Sequence, residues 1–323
     1  MDFGQVQPRL ALTDLYGQAL AQAPLSFDET TSHTDLLDLL QETTNKLLRS
    51  QQLSAEDLAL LAVAAPGIVD LHAQTFYVNG FYANWDLPAI CQELAQHFAL
   101  EIFLYNDVNA AAWGEYIFRQ ATRENLVYVA GGSGLGLGLI LNGELYLGSS
   151  GSAGEISEFL LTGLPPLGTG EYKSLKLGEN TYLTLAGRAS IRVLLRELNY
   201  QKQLEAGGEL APKPGLTYQD FLNLWKMGDA AAHRLAQNMG ESLGVFLHNL
   251  SLILDIDLII LDLSYQPFIP YIAQSLKLLN QDSQRPRLEI ALSSLGEQAS
   301  LSGLADLAME TLLVRWAFEG GNA

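Results

Sequence analysis

The sequence predicts an α/β protein of two similar halves with a cleft between them. Three observations predict it. A length of 323 residues suits two lobes better than one core. Each half opens with antiparallel strands and continues into helices. No low-complexity segment or long linker interrupts the chain. The expected division gives a smaller lobe from 1–118 with the terminal helix at about 299–323, and a larger lobe from 119–298.

In the first half, "RLALTDLYGQAL" (9–20) reads as two short strands about a turn at Tyr16-Gly17. "DLLDLLQETTNKLLRSQQ" (35–52) places leucines at helical spacing, led by Leu36, Leu37, Leu39, Leu40, Leu47 and Leu48. "ALLAVAAPGIVD" (59–70) reads as a buried strand ending in Pro66-Gly67. A helix over 87–100 leads into the strand 101–107 and an alanine-rich helix over 108–119. The pattern then restarts with three strands, "NLVYVAG", "LGLGLILNG" and "ELYLG", where Asn142-Gly143 is a hairpin signal. Helices follow at 188–198, 217–227 and 230–254. Strands at 258–263 and 288–294 flank the helix "PFIPYIAQSLKLLNQ", and a last helix covers roughly 299–318.

Composition excludes several classes. The chain is 48% hydrophobic and 17% charged, ordinary for a globular protein. No apolar run reaches the ~20 residues of a membrane span, and the N-terminus lacks a signal-peptide pattern. A single cysteine, Cys91, excludes an internal disulfide and a cysteine-rich zinc site. These features point to the cytoplasm and to no membrane partner. A net charge of −18 repels phosphate backbones, so DNA contact requires a separate basic module. The five histidines are scattered without ligand spacing, and no metal is expected. His248, in "GVFLHNLSLIL", reads as a satisfied core histidine.

The run "GGSGLGLG" (131–138) invites a nucleotide reading and fails the common ones. A dinucleotide fingerprint needs a third glycine where Leu137 stands and a helix where a strand follows. A P-loop needs a following Lys-Ser or Lys-Thr, and a hydrolase elbow needs glycine at Leu135. Two readings stay open. The N–H groups about Gly132 and Gly134, with the Ser133 hydroxyl, can cradle an anion. Equally, the glycines can relieve crowding where another backbone passes close.

Three stretches together, "AVAAPGIVD" (62–70), "YNDVNAAAWGEY" (105–116) and "NLVYVAGGSGLGLGLILNGELYLGSSGSAGEISEF" (126–159), resemble the ROK family of sugar kinases and sugar-responsive repressors. The order and separations match, and the resemblance runs from residue 2 to about 315. It implies the actin-like, or ribonuclease H-like, duplicated two-lobe fold. It also implies that Asn106 holds sugar hydroxyls and that Asp107 is the catalytic base if the chain is active. A carboxylate at a strand end is the right group to take a proton from an attacking sugar hydroxyl; taken alone, Asp107 reads as a helix N-cap. Glu155 matches a glutamate that contacts sugar hydroxyls, and Glu158 and Gly67 complete the implied sugar site. Trp85 in "YANWDLP" fits either a cleft-mouth position or simple packing.

The departures are as informative. Kinase members begin D-x-G-G-T, where this chain reads Asp2-Phe3-Gly4-Gln5-Val6. The family's G-E-I-G-H becomes Gly154-Glu155-Ile156-Ser157-Glu158, losing a histidine that is a zinc ligand. The cysteine-rich zinc loop is absent, so no zinc is expected. A second sugar-binding glutamate falls at Ala186. The Gly-Gly pair that admits adenosine becomes Asp262-Leu263, expected to crowd or repel a nucleotide. Phosphoryl transfer depends on positioning and charge stabilisation, so these losses together imply a degenerate kinase. The expected function is the effector domain of a regulator-branch member, binding a sugar or sugar phosphate with lobe closure as the switch and without a cofactor. The alternative is an ATP- and Mg-dependent sugar kinase with divergent phosphate loops. Regulators of the family carry a helix-turn-helix ahead of the sugar lobes, which this sequence lacks, and family members are commonly homodimers.

Overall fold

A computed structural model describes residues 1–4, 8–28, 30–70, 75–77, 85–120, 123–132, 134–161, 174–177, 180–205, 215–280 and 288–318. Two compact units form. One comprises Met1–Glu124, Gly138–Ala153 and Ser294–Ala323, the other Asn125–Leu137 and Gly154–Ser293. Against the expected division, the segment Gly138–Ala153 groups with the first unit. Gly138 shows the contact involved: a Cβ there would lie 2.4 Å from the Ala112 Cβ and 2.8 Å from the Val108 carbonyl. The missing side chain lets this strand rest directly on the alanine-rich helix.

Elements are numbered along the chain. In the first unit, β1 (Arg9–Thr13) pairs antiparallel with β2 (Ala19–Pro24), from Arg9↔Pro24 to Thr13↔Ala19. Helix α1 (His33–Ser50) starts where the Ser32 side chain accepts from the Asp35 N–H, and it buries Leu36, Leu40, Leu47 and Leu48. Strand β3 (Leu61–Ala65) runs parallel to β6 (Ile102–Asn106). The single strand expected over 59–70 is broken at Gly67, whose φ of +109° turns the chain into a separate strand β4 (Ile68–Asp70), paired with β5 (Thr75–Tyr77). Helix α2 (Leu87–His97) is capped by Asp86 and packs Leu87, Ile90 and Leu94 into a core with Phe3, Leu36, Leu40 and Val63. Trp85 is a packing residue, edge-on to Phe27 at 5.4 Å, with its Nε1 donating to the Thr31 carbonyl.

Helix α3 (Asp107–Phe118) follows β6 without a loop, and the last helix, α9 (Ala299–Phe318), crosses it at close range. A Cβ on Gly303 would lie 1.8 Å from the Ala110 carbonyl, and one on Gly114 would lie 2.3 Å from the Ala299 carbonyl. Two glycines and an alanine run thus set the backbones in contact. Strands β8 (Leu135–Leu141) and β9 (Glu144–Leu145) form the expected hairpin, with positive φ at both Asn142 and Gly143.

In the second unit, β7 (Leu126–Gly131), β13 (Leu258–Leu261) and β14 (Glu289–Leu292) run parallel, β13 pairing with both others. The uninterrupted apolar run of β13 is what a strand covered on both faces requires. Strands β10 (Leu160–Leu161), β11 (Ser174–Leu177) and β12 (Asn180–Thr184) make a small antiparallel sheet with β12 central. The helix expected at 188–198 is two, α4 (Leu185–Ala189) and α5 (Ile191–Glu205), separated at Ser190 by extended backbone. Helices α6 (Tyr218–Lys226) and α7 (Ala230–Leu254) fall as expected, followed by α8 (Ile269–Leu279). His248 on α7 is half-buried and its Nδ1 has no hydrogen-bond partner, so the expectation of a satisfied core histidine fails.

Candidate functional site

In the first unit the site residues gather where β6 becomes α3. Asn106, rather than Asp107, is the N-cap: its Oδ1 accepts from the Asn109 N–H at 2.9 Å. Its Nδ2 donates to the Gly67 carbonyl at 2.8 Å, so one carboxamide joins the helix start to the turn between β3 and β4. Asp107 is therefore the first helical residue. It is buried, and its Oδ1 accepts from the Val108 N–H at 3.0 Å.

Asp2, the first residue of the Asp2-Phe3-Gly4 opening, also lies here, although no motif in the sequence marks it as a site residue. The Gly4 N–H donates to Asp2 Oδ1 at 2.8 Å. A Cβ on Gly4 would lie 2.9 Å from that oxygen and 3.6 Å from Asp107 Oδ2, so two buried carboxylates border one glycine. Burial pushes the Asp2 carboxyl above its ordinary value, with the Gly4 N–H and the Met1 ammonium opposing. Gln5 and Val6 lie outside the described residues.

In the second unit, Glu155 precedes a short 3-10 turn, Ile156–Glu158, that Glu158 ends, and both are exposed. Partial burial of its carboxyl and the neighbouring Glu158 charge push Glu155 up. Ser157 takes the place of a family glycine, and its hydroxyl is fully used: it donates to the Leu135 carbonyl at 2.9 Å and accepts from the Leu135 N–H at 3.1 Å.

The glycine run has its donors engaged as well. The Gly131 N–H donates to Asp262 Oδ2 at 3.0 Å, and the Gly132 N–H to the Gly134 carbonyl at 3.1 Å. Together with Leu135, these are donors an anion cradle would need, and a phosphate would have to displace them. Ser133 lies outside the described residues. The alternative reading, relief of crowding, accounts for Gly131. A Cβ there would stand 2.3 Å from the Tyr265 hydroxyl oxygen and 2.5 Å from its ring.

Asp262 ends the β13 strand and starts a 3-10 turn, Leu263–Phe268. Its Oδ1 accepts from the Ser264 N–H at 2.7 Å and from the Ser264 hydroxyl, while Oδ2 takes the Gly131 N–H. Burial still pushes this carboxyl above its ordinary value. The Leu263 side chain is exposed. Tyr265, two residues on, is fully buried against Gly131. Burial and the Asp262 charge push its phenol well above 10, and its hydroxyl has no hydrogen-bond partner. Asp262 and Gly131 are 131 residues apart, so no local pattern links them.

Among the described residues no group of three or more His, Cys, Asp or Glu is placed to hold a metal ion, and no helix is long and apolar enough to cross a membrane.

The profile described as "ROK family" matches residues 1–311. A xylose repressor of Bacillus spizizenii is 26% identical over 308 residues, covering 94% of this chain and 74% of the repressor. The transcriptional dual regulator NagC of Escherichia coli K12 is 26% identical over 251 residues, covering 75% of this chain and 57% of NagC. Among solved structures, a ROK family glucokinase of Streptomyces griseus in complex with glucose and AMPPNP superimposes with a TM-score of 0.73 at 21% identity, covering 95% of this chain and 97% of that one. A ROK family transcriptional regulator, a homologue of the E. coli MLC protein, gives 0.70 at 22%, covering 99% and 80%. The shared fold is the actin-like two-lobe ATPase fold, here in mixed α/β form.

Proposed function

This chain belongs to the ROK family, and on that premise we propose that it is a sugar- or sugar-phosphate-sensing effector unit without efficient kinase activity. It acts in the cytoplasm as a homodimer, and DNA contact is made by a separate module, since a charge of −18 repels phosphate backbones. The observation that carries the reading is the Asp262–Gly131 contact, with Tyr265 packed beneath. A fixed carboxylate on the glycine N–H, and a ring against its Cα, oppose a nucleotide phosphate by charge and by volume. In the first unit Asn106, Asp107 and Gly67 supply a carboxamide, a carboxylate and a carbonyl of the kind that polyhydroxyl ligands bond, and in the second Glu155 and Glu158 supply carboxylates, the latter in place of a family histidine. Sensing then requires a ligand that binds two states of the protein with different affinity.

Isothermal titration against xylose, glucose, N-acetylglucosamine and their 6- or 5-phosphates tests the reading. Saturable binding of at least one, without ATP, is expected. No binding across the panel would remove its basis.

One observation favours a second reading, an ATP-dependent sugar kinase. Asp107 is buried at the first turn of α3, beside Gly4 and within reach of the same glycine as Asp2, as a catalytic base would be. A coupled ATP-consumption assay on the same sugars separates the two. Turnover abolished by Asp107→Asn would establish the kinase.

A further inference from the structure

Asn109 lies in the first turn of α3, ahead of the buried alanines Ala110, Ala111 and Ala112. It is itself only 4% exposed. Its backbone N–H is taken by Asn106 Oδ1 at 2.9 Å, but its side-chain Oδ1 is buried with no hydrogen-bond partner among the described residues. Turning the carboxamide over would only exchange an orphaned acceptor for an orphaned donor. An amide oxygen buried in this way carries its full desolvation cost, and buried polar groups in folded proteins meet a partner, protein or water.

Beside it is a cavity of about 10 Å³, lined by Val69, Tyr105, Asn106, Asn109, Leu147 and Gly151. All of these residues belong to the first unit. The volume is room for one water and for nothing larger. No carboxylate lines it, so a cation would find no counter-charge. Cavities stay dry where the lining is wholly apolar, whereas this lining includes two carboxamides and a glycine backbone. Asn106 Nδ2 spends one of its two hydrogens on the Gly67 carbonyl, at 2.8 Å. The Gly151 N–H has no hydrogen bond among the described residues. Gly151 also lets its loop rest on β4: its φ is +75°, and a Cβ there would lie 2.4 Å from the Val69 carbonyl.

We propose that this cavity is the site of one resident water, which donates to Asn109 Oδ1 and accepts from the second Nδ2 hydrogen of Asn106 and from the Gly151 N–H. The water joins the β6–α3 junction to the loop that follows β9. Asn106 is then held at a third point, besides the Gly67 carbonyl and the Asn109 N–H. Both Nδ2 hydrogens are spent, so the carboxamide meets a ligand only through the remaining lone pair of Oδ1, as an acceptor of a hydroxyl. Asn109 is a positioning residue for that carboxamide. None of the water's bonds needs a ligand, so the site is independent of the sugar reading.

The unaltered chain supplies the first measurement. Its crystal structure, at a resolution that shows ordered water, is expected to hold one water within hydrogen-bonding distance of Asn109 Oδ1. In solution, NMR is expected to show cross-peaks from a long-held water to the Asn106 side-chain amide and to the Gly151 N–H. Asn109→Leu has a similar size and no polar atom, so the sign of its effect is decisive. Loss of the bridge is expected to lower the melting temperature by about 2–4 °C and to remove the Asn106 cross-peak to water. Asn109→Ser, which keeps a polar oxygen, is expected to restore that cross-peak. A dry cavity in the crystal would overturn the proposal. So would a Leu variant that melts above the parent chain, since removal of an orphaned oxygen would then be a gain. The crystal and NMR measurements on the unaltered chain stand whether or not either variant folds.

Discussion

Two strand ends in this molecule use the same local device and reach opposite results. At the end of β6, Asn106 caps α3 with one polar atom and ties the Gly67 turn with the other, leaving Asp107 buried beside Gly4. At the end of β13, Asp262 caps a short 3-10 turn with one oxygen and with the other takes the Gly131 N–H. The first arrangement orders a carboxamide and a buried carboxylate about one helix start. The second occupies a glycine donor with the protein's own anion and backs it with Tyr265. The difference teaches that a cap residue's second polar atom can tie the strand end either to a neighbouring turn or to a neighbouring strand's N–H.

The first way to break the comparison is at the support of the Asn106–Asp107 end. Gly303→Val would drive a side chain into the Ala110 carbonyl, backbone against backbone, so a loss of about 3 kcal/mol or more is expected in urea denaturation. A loss under 1 kcal/mol would mean that α9 does not hold α3 as tightly as the contact implies. Next, Gly131→Ala is expected to cost about 2 kcal/mol, because the new Cβ meets the Tyr265 ring. Combined with Tyr265→Ala, it should cost clearly less than the two single losses added. Additive losses would show that Gly131 is constrained by something else. Asn106→Ala should cost about 1 kcal/mol through loss of the cap, and Asn106→Asp should recover the cap while losing the Gly67 bond. Equal stabilities for those two variants would make the cap irrelevant.

The smallest expected effect is on pH dependence. Burial raises the folded-state value of both Asp2 and Asp262, so the folded chain binds more protons than the unfolded one. Each contribution to stability is greatest below the unfolded value, near 3.8, and is lost as pH rises through the raised folded value. Asp262→Asn should therefore show a shallower decline of the unfolding midpoint from acid toward neutral pH than the parent chain. An unchanged slope would place Asp262 in a better-solvated setting than its surroundings imply.

Much of the fold is legible along the chain. The Asn142-Gly143 turn, the bounds of α7 and the apolar run of β13 depend on periodicity and turn chemistry within a few residues, and the structure keeps them. Asn106 and Asp107 were legible as a pair, but which one caps was not, since the choice rests on a single backbone angle and on Gly67 across the turn. Asp2 was visible only as half of an opening motif, because its closeness to Asp107 needs β3 and β6 already paired.

The sequence by itself determined most of the element order and the two-part α/β plan, because each is written in local pattern or in motif order. Tertiary structure decided what the glycine run does. Gly138 makes room for α3, Gly131 makes room for Tyr265, and the Gly131 donor goes to a carboxylate 131 positions away. A glycine's own spacing records only that a side chain is missing. Which atoms use the space, anion or ring, is settled by close packing between segments that no local pattern connects.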